Sequence, residues 1–252
     1  LAPPVTPLSR HILDASDEFR QARDKDDLWN CLHRHLADFG ISGVLYGTDA
    51  MAQCISPRTM LLDSLRPGYL ETKQREGALE SDEFIRTGLI QDDPILWDPS
   101  SVVAARFAEF SPEARLSLDI DWSFGITTGV TLPMRFADGL GVSGMGCHAE
   151  RMSWGEFERM WRESGDAVTA IACAFDTTLR RDHIRQLFPL TAEERECLLW
   201  LAAGLQQKQI ADRLRLTDKQ VGKRFETARA KLRAVTTTQA MASALIFGLI
   251  DP

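Results

Sequence analysis

The 252-residue chain lacks any apolar run near the roughly 18 to 20 residues that a membrane span requires. That excludes a helical membrane protein. Its N-terminal stretch LAPPVTPLSRHILDASDEF has no continuous apolar segment, so no signal peptide is expected and the chain reads as cytoplasmic. Cysteine is sparse and unpaired. Cys31, Cys54, Cys147, Cys173 and Cys197 are odd in number, scattered and never in a C-x-x-C pair. That argues against a disulfide framework or a zinc site and for free thiols in a reducing compartment.

Catalytic patterns are also missing. Gly139-Leu-Gly141-Val-Ser-Gly144 fits G-x-G-x-x-G, but it follows a turn signal and enters a strand pattern, without the helix a phosphate site needs. Met145 breaks the neighbouring G-x-S-x-G pattern. His33 and His35 are two apart in a helical pattern, so they face different sides and do not chelate one ion. The expectation is therefore no enzyme, no cofactor and no metal.

Basic charge is short overall, with 29 Lys or Arg against 36 Asp or Glu and a net charge of −7. It is also unevenly spread. Residues 190–235 carry ten basic and six acidic side chains, a net +4, which leaves −11 for the remainder. A short basic module on an acidic body predicts a polyanion partner.

That module is helical throughout. Thr191-x-x-Glu194 and Thr217-x-x-Gln220 are capping boxes. Ile210, Ala211 and Leu214 share one side of a short helix. After the Leu216-Thr217 turn comes a longer helix with Val221, Phe225, Ala228 and Leu232 in one apolar stripe. The opposite side carries Lys219, Gln220, Lys223, Arg224, Thr227 and Lys231, the last either touching phosphate or paired with Glu226 or another acid. A short helix, a tight turn and a basic helix make a helix-turn-helix, whose second helix enters the DNA major groove. The lysines and arginines neutralise phosphates, while Gln220 and Arg224 present paired hydrogen-bonding groups to bases.

The longer N-terminal part mixes helix and strand. Residues 11–40 have helical spacing, ISGVLYGTD reads as a strand, and 50–68 reads as irregular. Residues 69–90 are helical with breaks near Gly77 and Gly88, and Ser111-Pro112 opens another helix. Residues 125–149 read as two strands joined at Ala137-Asp138-Gly139, and Ser153-x-x-Glu156 caps a long helix. The predicted architecture is an α+β two-domain chain. An α/β/α sandwich sensor (1–185) leads through a linker (186–189) to an all-α four-helix helix-turn-helix domain (190–252).

The segment from Leu190 to Leu249, through Gly204, Ile210-Ala211, Val221, Ala228 and Lys231-Leu232, closely resembles the LuxR-type DNA-binding domain over about sixty residues. It departs from the family at Leu205-Gln206, Gln209 and Arg224. More loosely, residues 12–180 resemble the autoinducer-binding domain of quorum-sensing LuxR regulators, through Phe84, Asp93-Pro94-Ile95-Leu96, FAEFS at 107–111 and the 125–133 strand. The resemblance implies a homodimer on double-stranded DNA, controlled by a small molecule such as an N-acyl-homoserine lactone in a pocket between sheet and helices. The long helix from Trp154 and the last helix, with Ala240, Ala244 and Phe247, are candidate dimer surfaces or intramolecular packing.

Carried over position by position, Asp93 takes the role of the aspartate that accepts from the ligand amide. Phe84 stands where the family has Tyr, Phe110 lies near a downstream aromatic, and Met145 matches a pocket-lining strand position. Glu80 occupies the place of a tryptophan that donates to the lactone carbonyl, which an ionised glutamate does not do. Either the alignment shifts there and brings in Tyr69, or the ligand is not an ordinary acyl-homoserine lactone. Control by another small molecule or by a regulatory protein partner is the alternative.

Overall fold

Two capped helices open the chain. Helix α1 (Pro7–Gln21) starts from Thr6, whose hydroxyl accepts the Ser9 N–H, and α2 (Lys25–Ala37) starts from Asp24, which accepts the Asp26 and Asp27 N–H groups. The computed structural model describes residues 6–50, 59–97 and 109–251. Cys54 and residues 107–108 of the FAEFS segment lie outside them. The single helical stretch expected for 11–40 is two helices. Asp24 is extended, at φ −154°, and satisfies the free N–H groups of a new helix end.

Among the described residues, five strands form one antiparallel sheet in the order β2-β1-β5-β4-β3. They are β1 (Gly43–Ala50), β2 (Met60–Asp63), β3 (Ile95–Trp97), β4 (Gly129–Phe136) and β5 (Gly141–His148). Strand β2 falls inside the stretch read as irregular. It is an edge strand whose four residues are all half-buried, so its sequence shows no alternation. The β4–β5 turn places Ala137, Asp138 and Gly139 at φ 49°, 54° and 83°, a left-handed path that glycine adopts at least cost.

Each face of the sheet is covered. On one lie α1, α2 and α6 (Trp154–Thr178), which extends through a π turn at Leu179–His183 into α7 (Ile184–Leu187). Phe19, Leu32, Val44, Tyr46, Met145 and Phe175 are sealed in that layer. On the other lie α3 (Tyr69–Arg75), α4 (Glu83–Ile90) and α5 (Pro112–Ser123), around a smaller cluster of Tyr69, Ala78, Trp97, Ile120 and Ile126. Helix α4 runs unbroken through Gly88, contrary to expectation. Gly88 faces the sheet, where a Cβ would stand 3.4 Å from Thr131 Cγ2, in ordinary van der Waals contact.

The C-terminal domain is α8 (Ala192–Ala202), α9 (Gln207–Leu214), α10 (Asp218–Lys231) and α11 (Thr237–Ile246). Capping boxes open the first three of these helices. The domain docks on the sheet layer. Phe247 stacks on Phe188 at 4.7 Å and on Phe136 at 5.8 Å between ring centroids. The Arg233 guanidinium donates to the Thr59 carbonyl at 2.9 Å. Of the two readings of the last helix, the structure favours intramolecular packing: Ala240, Ala244 and Phe247 are buried within the chain, where α11 packs them on α8 and the aromatic stack.

Candidate ligand pocket and DNA-binding face

Between the sheet and the α3–α5 layer lie two adjoining cavities. One, of about 60 Å³, is walled by Tyr69, Asp82, Phe84, Trp97, Asp121 and His148. The other, of about 80 Å³, runs along Gly47, Gly88, Gly144 and Gly146, with Thr48 and Ser143 in its wall. They share Leu45, Ile85, Thr131 and Gly146. Glycines keep the second cavity open: a Cβ at Gly144 would meet nothing within 4 Å. The site therefore has an apolar track and a polar end.

A buried ionic cluster forms the polar end. Lys73 is fully buried, and its Nζ donates to Asp82 Oδ2 at 2.9 Å, to Asp121 Oδ1 at 2.8 Å and to Ser117 Oγ at 2.5 Å. Ser117 donates onward to Asp82, and the Tyr69 hydroxyl donates to Asp121 Oδ1 at 2.8 Å. Asp82 also caps α4 by accepting the Phe84 and Ile85 N–H groups. Two carboxylates face one ammonium. Burial, reinforced by the charge of Asp82, pushes the Asp121 carboxyl up to about 7, against the opposing pull of Lys73 and Tyr69. Burial lowers the pKa of His148 and favours its neutral ring, and Nδ1 donates to the Thr128 carbonyl at 3.1 Å.

Of the residues expected at this site, Tyr69 and Phe84 line the polar cavity. Met145 sits on the opposite face of the sheet, because β5 alternates and Gly144 and Gly146 take the cavity side. Glu80 is exposed and outside the cavity. Asp93 is exposed too, since the turn after α4 runs along the surface. Its neighbour Asp92 pairs there with Arg135 at 2.9 Å. Phe110 is half-buried outside the lining, and its carbonyl accepts from Arg115. Lys73, Asp82 and Asp121 were not anticipated. A periodicity signal existed: Ser117 and Asp121 interrupt the buried stripe Ala114, Leu118 of α5, and Lys73 lies one turn beyond Tyr69 on α3.

On α10, Val221, Phe225 and Ala228 anchor the helix from behind, while Lys219, Gln220 and Lys223 are exposed. The other outward residues are more constrained than their spacing suggested. The Gln220 side-chain carbonyl accepts from Thr217 N at 2.8 Å and Thr217 Oγ1 at 3.0 Å, so only its amide NH₂ is free for a base. Thr227 spends its hydroxyl proton on the Lys223 and Arg224 carbonyls of its own helix. Arg224 is half-buried, 3.9 Å from Cys197 Sγ. Lys231 is held by the buried Glu194 at 2.8 Å and braces α10 against α8.

The family model described as "Autoinducer binding domain" matches residues 24–178, and that described as "Bacterial regulatory proteins, luxR family" matches residues 189–244. The chain belongs to the LuxR family of autoinducer-binding regulators. It is 26% identical to the transcriptional activator protein SolR of Ralstonia nicotianae over 239 residues, covering 94% of this chain and 98% of that protein. The structure described as "SdiA in complex with octanoyl-rac-glycerol" shares its fold, with a TM-score of 0.58 at 12% identity over 98% of both chains. The N-acylhomoserine-lactone-dependent LuxR-family factor CepR2 from Burkholderia cenocepacia matches with a TM-score of 0.54 at 14% identity, over 68% of this chain and 96% of its own.

As a quorum-sensing LuxR-type transcriptional regulator, the chain joins an autoinducer-binding domain to a helix-turn-helix domain. The family is one of transcriptional regulators rather than enzymes. Among the described residues, no three His, Cys, Asp or Glu side chains gather as metal ligands, and no helix is long and apolar enough to cross a membrane.

Proposed function

We propose that an apolar-tailed small molecule fills the cavities between the sheet and the α3–α5 layer and controls DNA binding by α10. The observation that carries this reading is the glycine-lined track ending at the buried polar cluster, within the segment matching the autoinducer-binding model. A ligand there completes the packing of a loosely filled layer and stabilises the folded state by mass action. Residues 1–185 then act as sensor and 190–252 as reader, with 186–189 between them. Lys219 and Lys223 meet phosphates, while Arg224 and the Gln220 amide approach bases. Two copies of the chain on successive half-sites form the working unit, in the cytoplasm where its DNA lies.

The cavity lining favours the shifted alignment that brings in Tyr69, with Asp82 in the place first given to Asp93. The positions from which the resemblance draws the amide acceptor and the lactone donor, Asp93 and Glu80, are both exposed and outside the cavity. Regulation by a protein partner is the competing reading. The test is mass spectrometry of the full chain purified from its own host, paired with duplex binding before and after the bound molecule is extracted. An alkyl-tailed molecule whose removal changes affinity is the expected result. Unchanged affinity, or an empty pocket in a protein that binds its operator fully, favours the partner.

A further inference from the structure

Two histidines meet at the junction of α1 and α2, away from the pocket and the DNA-binding face. His11 and His35 are 24 residues apart, and the packing of the two helices brings His35 Nδ1 to 3.1 Å from His11 Nε2. Asp38 Oδ2, one turn beyond His35 on α2, lies 3.8 Å from the same His11 nitrogen. Nε2 of His35 is buried without a hydrogen bond, and Glu18 Oε2 stands 3.3 Å from it, off line. Arg34 holds that carboxylate oxygen at 2.6 Å. Phe39 and Phe19 wall the two rings, with centroids 5.1 Å from His11 and 5.9 Å from His35. The Glu18 charge keeps a proton on His35 Nε2, which leaves Nδ1 as the acceptor and His11 Nε2–H as the donor between the rings.

We propose that this junction is a site for a divalent transition cation of the zinc type, held by His11 Nε2 and His35 Nδ1, with Asp38 turning in as a third ligand. Two nitrogens on one tetrahedral zinc, each at about 2.0 to 2.1 Å, stand about 3.3 to 3.4 Å apart, so the gap between the rings opens by only a few tenths of an ångström. As the side chains stand, only two ligand atoms converge. Asp38 is 69% exposed, so it turns without disturbing the core, and water completes the set. The proton on His11 Nε2 passes through solvent to Nδ1 of the same ring, and the pair takes the ion with no net loss of a proton. Glu18 then receives the outer N–H of His35, the arrangement that orients a metal-bound imidazole and raises its basicity. An imidazole pair with one carboxylate suits zinc rather than magnesium or calcium, which take oxygen ligands. Neither residue signals this along the chain, because the partner of His35 comes from another helix, while His33 packs on Trp29. The site lies across the sheet from the two cavities and is independent of what fills them.

Isothermal titration of the full chain, first stripped with a chelator, takes zinc chloride as the probe and magnesium chloride as the control. One equivalent of zinc is expected to bind with a micromolar or tighter Kd, and magnesium to give no response. His11→Gln and His35→Gln should each weaken zinc binding by roughly a hundredfold, and Glu18→Gln, which keeps both ligands, by about tenfold. His33→Gln should leave it unchanged. Circular dichroism checks that each variant is folded. If His35→Gln is not, His11→Gln and the exposed Asp38→Asn, expected to weaken binding by about tenfold, decide. Cobalt(II) in place of zinc should show no thiolate charge-transfer band, which separates this site from the cysteines. No stoichiometric zinc binding, an affinity unaltered in His11→Gln, or a thiolate band overturns the proposal and leaves the two rings as a hydrogen bond between helices.

Discussion

The Tyr46 hydroxyl donates to Asp176 Oδ1 across 2.7 Å, with both residues sealed from solvent. The contact ties the middle of the sheet to helix α6. Ser143 Oγ, beside the apolar track, lies 3.2 Å from the same hydroxyl. The other oxygen of Asp176 accepts from Arg180 Nε at 3.0 Å and from its terminal nitrogen at 2.7 Å. That guanidinium lies 4.3 Å from the centroid of Phe136, which stacks on Phe247 of the DNA-binding domain. Burial and the neighbouring Asp176 charge hold the phenol pKa well above its usual value, so it stays a donor. Tyr46→Phe removes one charge-assisted hydrogen bond and is expected to lower unfolding stability by about 1.5 to 3 kcal/mol in urea denaturation. A change below a few tenths of a kcal/mol would show that Arg180 alone satisfies the carboxylate.

The Phe136–Phe247–Phe188 stack joins the sensor sheet, the linker and the C-terminal domain. Phe247→Ala is expected to cost about 3 kcal/mol or more by opening a cavity there. Calorimetry should then resolve separate transitions for the two domains where the parent chain melts as one. A single transition in the variant would mean that contacts other than this stack couple the domains.

Lys231 and Lys223 make opposite predictions. Lys231→Met leaves the buried Glu194 without its counter-ion and with only the Thr191 N–H, so it should destabilise the chain by about 3 kcal/mol and lower DNA affinity only through unfolding. Lys223 is exposed, 3.4 Å from Glu226, and Lys223→Met should leave the melting temperature alone. It should reduce the slope of log affinity against log salt by about 1, as expected for one lost phosphate contact. Salt titrations of both variants on one duplex decide between these roles.

Asp121 carries a pH signature. Its carboxyl lies near 7 in the folded chain against 3.8 for the free group, so between those values the folded state binds a proton that the unfolded state has lost. Stability contributed by that proton is full below about 4 and is lost as pH rises toward about 7. Asp121→Asn should therefore show a shallower decline in melting temperature between pH 4 and 7 than the parent chain. Parallel curves for the two proteins would place the titration elsewhere.

The C-terminal domain was legible because its signals are local. Capping boxes at Thr191 and Thr217 and the stripe Val221, Phe225, Ala228 each lie within one or two helical turns, and the structure uses them as read. The same holds for Ser111 and Ser153 as helix starts, and for the β4–β5 hairpin. The layers on both faces of the sheet followed from the alternation of helix and strand patterns.

What the pocket contains was decided by tertiary packing. Lys73, Asp82 and Asp121 come from three different helices, and only their joint burial turns three ordinary polar residues into a cluster that shapes the cavity. Which of Asp82, Asp92 and Asp93 faces inward depends on how α4 sits on the sheet, which puts Asp82 in the cavity wall and leaves the other two on the surface. Lys231 likewise reads as a phosphate contact along its helix, and becomes a brace only because Glu194 meets it from α8. Helix and strand are set by neighbours along the chain; the charge state and partner of a side chain are set by whatever excludes water from it, and here those groups are distant in sequence.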